Sequence, residues 1–387
     1  MLRVLVVLAM VTAHSAEDVT SPSLRRRVCP RGPIVSIPSV PKGLANQRMR
    51  IVQDLTVALS LGYAVELPEH VHSRIGCRYE LDCAAEYASN VSTWTLYDFD
   101  DTVAALERLG LCVSSGVSAP LPEVAPVTWP RAASELTDVW LDLERHKKTR
   151  SSSSSRTTTQ KWYLAKPTDC CTFVVPDSDV AVDLLRDVGD ALVPSEAVRR
   201  AATDVATAFF EKKKKKTNNK SPSVLCAAHW RDDEDMVLSQ HRLSRAAYDT
   251  KMVKAIRSAC GTRVLLLGGF SAERLEDIRA MLPGVSIDTK TTLQPTHPFL
   301  KANDPYDDVL ALVDFELGRQ YASVFVSSPF SSFSNQIAFS RMGRGVVDVD
   351  VDTQTKLGLL WRIQFPTTRD PFADPCAALA NQWPKSR

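Results

Sequence analysis

The second half of the chain alternates short apolar runs with longer amphipathic stretches. Val224–Ala228, Arg263–Leu267, Val285–Ile287, Ser323–Val326 and Val346–Val349 have the length and composition of strands. Between them, Leu238–Cys260, Ala272–Leu282, Asp307–Gln320 and Ser332–Met342 carry helix-type spacing. In the third of these helices Leu310, Val313 and Leu317 share one face. Repeated strand–helix units of this kind predict a doubly wound parallel sheet.

The first half is less regular but opens in the same way. Ile34–Ile37 reads as a strand, and Pro41-Lys42-Gly43-Leu44-Ala45-Asn46-Gln47-Arg48 as a turn that opens a helix. Ile51, Leu55, Ala58 and Leu59 recur there at helical spacing, with Val52 beside them, until Gly62 ends the run. Tyr63–Leu67 is the next strand, which completes a parallel βαβ unit. Asp98–Leu109 is a helix capped by Asp98 and stopped at Gly110, Cys171–Pro176 a strand, and Val180–Phe210 mostly helical. The fold class expected is α/β, with two doubly wound Rossmann-like domains facing a cleft.

Length agrees, since 387 residues suit two domains of about 150 residues better than one core. The N-terminal domain is expected over 29–210 and the C-terminal domain over 222–387, with a Lys-rich linker at 211–221. A Ser- and Thr-rich stretch at 145–161 has no periodic apolar positions and reads as a low-complexity insertion. Residues 1–16 have a basic start, an apolar core at Val4–Ala13 and small residues Ser15 and Ala16, the pattern of a secretory signal peptide. A short uncleaved N-terminal anchor is the alternative, and no other stretch is apolar for long enough to span a bilayer. The expected location is therefore the lumen of the secretory pathway, in the endoplasmic reticulum or Golgi, or outside the cell.

A net charge of +2 argues against nucleic acid as a partner, and the five lysines Lys212–Lys216 read as a solvated loop. Nine cysteines in a secretory chain imply disulfides, with a connectivity that spacing does not give. Cys77/Cys83 and Cys170-Cys171 do not have zinc-ligand spacing. Asn90-Val91-Ser92 and Asn219-Lys220-Ser221 are glycosylation acceptor patterns in such a compartment.

Three stretches carry candidate chemistry. The strand at Val224 runs into His229-Trp230-Arg231 and then four acids, Asp232–Asp235. A guanidinium at a strand's carboxyl end suits a phosphate, although a half-buried His and an Arg paired with those acids would look the same. At the first turn Asn46, Gln47 and Arg48 are placed to face a ligand, unless Asn46 merely caps the helix. Val324-Phe325-Val326-Ser327-Ser328-Pro329-Phe330-Ser331-Ser332-Phe333-Ser334 is a strand that feeds a hydroxyl-rich turn and a helix N-terminus. That end suits a phosphate too, and N-capping by Ser331 or Ser332 is the plain alternative. Asp348-Val349-Asp350-Val351-Asp352 reads as a strand with its acids on one face rather than as a metal site.

Taken in order, Gly43–Arg48, His229-Trp230-Arg231 with Asp235-Met236, and Asp314 through Ser323–Val326 to Ser331-Ser332-Phe333 resemble the GDP-fucose protein O-fucosyltransferase family. The resemblance implies a GT-B-like, inverting, metal-independent glycosyltransferase. It would use GDP-fucose as donor substrate, with no further cofactor, and a protein hydroxyl or glycan as acceptor. It also implies that Arg231 binds the diphosphate and stabilises the departing GDP, and that His229 lies on the nucleotide side. Ser331, Ser332 and Phe333 would hold phosphate or base, and Asn46 would position the sugar or diphosphate from the facing domain. Ala45 stands where that turn often has glycine, and no carboxylate within the turn offers an acceptor-activating base. An α-1,2- or α-1,6-type fucosyltransferase and a non-catalytic nucleotide-sugar or carbohydrate-binding module of the same fold are the alternatives.

Overall fold

The structure is a computed structural model. It describes residues 34–37, 44–61, 63–73, 89–114, 125–127, 162–165, 173–174, 179–214, 224–231, 244–303, 308–328, 331–341, 346–348 and 363–364. The expected signal peptide, the insertion at 145–161, Lys215–Lys216, the acids after Arg231 and Asn219 lie outside the described residues.

The first half is built on a parallel sheet. Its strands are β1 (Ile34–Ser36), β2 (Ala64–Glu66), β5 (Val113–Ser114), β6 (Ala125–Val127) and β7 (Trp162–Ala165), in the order β5-β2-β1-β7-β6. An antiparallel hairpin, β3 (His70–Ser73) with β4 (Ser89–Ser92), and short strands β8 (Phe173–Val174) and β14 (Ile363–Gln364) complete it. Helix α1 (Leu44–Leu61) connects β1 to β2, as the apolar spacing predicts, and Val52, Leu55 and Ala58 are fully buried. After α2 (Thr93–Leu96), Asp98 caps α3 (Phe99–Arg108) by accepting from the Asp101 amide, and Gly110 turns the chain at φ 93°. The long helical region resolves into α4 (Asp179–Ala191) and α5 (Glu196–Lys214).

The second sheet contains β9 (Cys226–His229), β10 (Arg263–Leu267), β11 (Ser286–Thr289), β12 (Val324–Ser327) and β13 (Val346–Asp348). All its neighbours are parallel, and the order β11-β10-β9-β12-β13 is the doubly wound one. Successive residues of its strands go to opposite faces. Ala227, Leu265, Leu267 and Phe325 join a core that continues into α1, α3, α4 and α5 of the first half. Cys226, Ala228, Val264, Leu266 and Val326 pack on the other face with Tyr248 and Met252 of α6 (Arg245–Cys260) and Ile278 of α7 (Ala272–Met281). Both faces are covered, so β9 and β10 read as apolar runs without alternation. A disulfide joins Cys226, the first residue of β9, to Cys260, the last of α6.

Helices α8 (Lys290–Leu293), α9 (Pro298–Ala302) and α10 (Asp308–Glu316) lie between β11 and β12, and a π-helical turn, Leu317–Tyr321, follows α10. Leu310, Val313 and Leu317 are all buried in the shared core, as their common face requires. In the π turn a Cβ on Gly318 would lie 2.9 Å from the Ile337 side chain of α11 (Ser332–Ser340), so a larger residue there would have to push that side chain aside. Helix α5 runs past the boundary expected at 210, to Lys214, and packs along α8, α9, α10 and the π turn of the second half. Lys212, expected in a solvated linker, instead donates to Asp288 at 2.6 Å. Asp288 is buried and also bound by Arg263, whose guanidinium lies 3.8 Å from the Phe209 ring centroid, so the helix is anchored to the sheet edge and does not fray at Glu211.

Candidate functional site

In the second sheet β9 and β12 are neighbours, and the chain leaves them in opposite directions, to β10 and to β13. Their carboxyl ends therefore form the switch point of the sheet, where ligands of doubly wound folds bind. Four backbone and side-chain links tie these two ends together. His229 Nδ1 lies 2.7 Å from Ser334 Oγ, and the Ser328 amide donates to the same oxygen at 2.9 Å. Ser328 Oγ is 2.9 Å from the Tyr248 hydroxyl, which accepts from the Arg231 amide at 2.8 Å. Arg245 of α6 reaches the Arg231 carbonyl at 3.4 Å. The backbone that carries Arg231 is thus fixed from α6, and Arg231 itself is half-buried.

Ser331 caps α11, accepting from the Ser334 amide at 3.3 Å, which is the plain role foreseen for it. Ser332 is the first residue of that helix. Phe333 sets its ring 4.6 Å from the His229 imidazole and 6.1 Å from Phe315, edge-on to the latter. His229, Ser331 and Phe333 are therefore brought together with the carbonyl and amide of Arg231. Ser334, Ser328 and Tyr248, which join them, were not singled out from the sequence. Ser334 stands three residues after a helix-capping serine, and that spacing was the available signal.

Helix α11 also meets the first half. Gln336 Nε2 donates to the Ala45 carbonyl at 2.6 Å, and Gln336 Oε1 accepts from Arg48 at 2.9 Å. Arg48 further donates to the Gly189 carbonyl at 2.6 Å and lies 4.5 Å from the Phe315 ring centroid. Arg48 was expected to face a ligand, and the structure places it instead in the seam between the halves, 6% exposed. Burial pulls its pKa below the ordinary arginine value, partly opposed by Tyr97. Burial likewise pushes Tyr97 up to about 12, with Arg48 opposing.

Asn46 lies within the first turn of α1, two residues beyond its first residue, so it is not the capping residue. Its Oδ1 is buried, with no hydrogen-bond partner among the described residues. An unmet buried acceptor is costly and is filled by a water or a ligand donor. Gln47, by contrast, is buried and engaged. Asp348 ends β13, and Asp350 and Asp352 lie outside the described residues.

No protein-family model and no curated protein matches the chain. Solved structures do. A crystal structure of POFUT1 in complex with GDP superposes over 84% of this chain and 100% of its own, with a TM-score of 0.52 and 13% identity. POFUT1 in complex with GDP-fucose gives 0.51 at 14% identity, over 84% of this chain and 100% of that one. The chain has the fold of POFUT1. The two-sheet architecture is therefore GT-B-like, as the resemblance implied. The fucosyltransferase NodZ from Bradyrhizobium is also similar, with a TM-score of 0.44 and 15% identity over 83% of this chain and 96% of its own. At these identities the likeness is one of fold.

Proposed function

We propose that this chain is an inverting fucosyltransferase that takes GDP-fucose as donor and a protein hydroxyl or a glycan as acceptor. The observation that carries the reading is the interlocked carboxyl ends of β9 and β12, where His229, the Arg231 backbone, the cap of α11 and Phe333 meet at the switch point. The fold shared with POFUT1, described in complex with GDP and GDP-fucose, supports the same donor.

In this reading Arg231 grips the diphosphate. As the bond from fucose C1 to the phosphate oxygen breaks, charge grows on the leaving GDP, and a guanidinium already in place stabilises it. The acceptor oxygen forms its bond to C1 from the opposite face and loses its proton to a base. Fucosyl transfer of this kind passes through an oxocarbenium-like state, so positioning and charge neutralisation supply most of the acceleration. His229, with its Nδ1 side held by Ser334, and Phe333 would line the nucleotide side, with Ser331 and Ser332 at the phosphate. The orphaned Asn46 oxygen would take a donor hydrogen bond from the sugar. The cation at the leaving group gives the step a route that needs no metal. The Cys226–Cys260 disulfide suits an oxidising compartment, so we place the protein in the secretory lumen.

The test is titration of the purified protein with GDP, GDP-fucose, GDP-mannose and UDP in the absence of added metal. Tight binding of GDP and GDP-fucose, lost in Arg231→Ala, is the result expected. Binding to none of the guanosine nucleotides would overturn the assignment and leave a shared architecture alone.

A further inference from the structure

A buried ion pair lies beneath the carboxyl edge of the second sheet, away from the residues assigned above. Lys290 and Asp314 are each 2% exposed, and Lys290 Nζ donates to Asp314 Oδ2 at 2.6 Å. Taking two charges out of water roughly cancels their attraction, so such a pair adds little net stability over two apolar side chains. What this pair does geometrically is specific. Asp314 Oδ2 accepts from the Gly268 amide at 2.9 Å, and Lys290 Nζ donates to the Gly268 carbonyl at 3.1 Å. The amide and the carbonyl of one glycine are thus held by opposite ends of one ion pair.

Gly268 is the first residue after β10, and β10 pairs with β9 so that Leu267 stands opposite His229. The next residues along, Gly268 and Trp230, therefore lie side by side. Gly268 has φ 135°, in the region that favours glycine, and a Cβ there would be 3.4 Å from the Trp230 carbonyl and 3.3 Å from the Phe270 ring. Trp230 is fully buried, and its indole N–H donates to Asp249 at 3.2 Å, which Arg274 holds in turn at 2.6 Å. Trp230 is accordingly held at both ends, its carbonyl beside Gly268 and its indole by Asp249.

We propose that Lys290 and Asp314 are positioning residues for Arg231. By fixing Gly268 they fix the Trp230 peptide, and with it the direction in which the end of β9 presents the guanidinium. The inference rests on the reading of Arg231 as the diphosphate-binding group. It adds two residues, 59 and 83 positions further along the chain, to the parts that tune donor affinity.

The experiment is a double-mutant cycle on GDP affinity, with the melting temperature recorded for each variant. Lys290→Met/Asp314→Leu removes both charges together and leaves neither unpaired, so melting is expected to fall only modestly, through the two hydrogen bonds lost at Gly268. GDP affinity is expected to fall about tenfold, and adding Arg231→Ala to this background is expected to cost much less than it does in the parent. A merely structural pair would lower the melting temperature without that loss of coupling. Gly268→Ala provides the second perturbation. It leaves the ion pair in place, strains the same backbone, and is expected to weaken GDP to a similar extent. If Arg231→Ala abolishes GDP binding while a folded pair variant or Gly268→Ala binds GDP as the parent does, the positioning role is overturned and the donor site stands. If Arg231→Ala itself leaves GDP binding intact, the donor reading is overturned and this inference falls with it.

Discussion

The two halves of the molecule share an architecture and use buried polar residues in opposite ways. In the second half several sit at the carboxyl ends of the strands, His229, Thr289, Lys290, Ser327 and Ser328, and His229 and Ser328 both bond to Ser334 of the helix that follows. Among the described side chains of the first half, the strand ends carry the half-buried Ser36 and Glu66, the latter raised in pKa by burial. There most of the buried polar residues described lie along one helix, as Gln47, Arg48, Arg50, Asp54 and Thr56 of α1, with Thr93 and Thr102 apart from them. A sheet edge presents groups to a ligand, whereas a helix face presents them to a packed neighbour. On the proposed reading, one half prepares a surface for chemistry while the other supplies the element that packs against it, with α11 touching both.

Separating activity from stability would break or sharpen that contrast. The largest effect expected is in Arg231→Ala, a loss of at least about a hundredfold in GDP release from GDP-fucose, with melting little changed. A folded variant of unaltered rate would remove the second half's edge from the chemistry. Next is Arg48→Met, which leaves the Gly189 carbonyl and Gln336 Oε1 buried without their donor. It is expected to cost about 2–3 kcal/mol in denaturant unfolding. A seam that matters only for closure would lose stability there without losing intrinsic donor affinity.

The third concerns pH. Burial raises Asp54 from 3.8 to about 6, with Arg50 opposing. Because the folded-state pKa lies above the unfolded one, Asp54 favours folding below about pH 4, and that contribution is lost as pH rises towards 6. The melting temperature of Asp54→Asn relative to the parent is expected to rise over that interval, by the equivalent of about 2 kcal/mol. A flat difference would mean that Arg50 fully offsets the burial of the carboxylate. The smallest effect is expected from Tyr248→Phe, which removes the hydroxyl between the Arg231 amide and Ser328. About 1 kcal/mol of GDP affinity is the expected loss, read by titration calorimetry.

The elements were legible because burial imposes a period on the residues that pack. Arg263–Leu267 forms its strand over the bounds expected, and Asp98 caps its helix as its position implied. That His229 and Phe333 would come close could be read from the chain, since one ends β9 and the other opens the helix after the neighbouring strand β12. Arg48 was misjudged for a reason of the same kind. Its neighbours in sequence are a polar turn, but its neighbours in space are Phe315, Gln336 and Gly189, hundreds of residues away in two cases. Lysine and aspartate at Lys290 and Asp314 look like ordinary charges at helix positions, and nothing local shows that they meet around Gly268.

By itself, then, the sequence determined the strand and helix periods, the cap of the Asp98 helix, the α/β class and the two stretches, at His229 and at Ser331, that follow neighbouring strands of the second sheet. Tertiary structure alone decided which of the polar residues face a site and which seal a seam. Local period follows from each element's own burial. The fate of a polar side chain depends on which desolvated partner meets it, and that partner belongs to a distant segment.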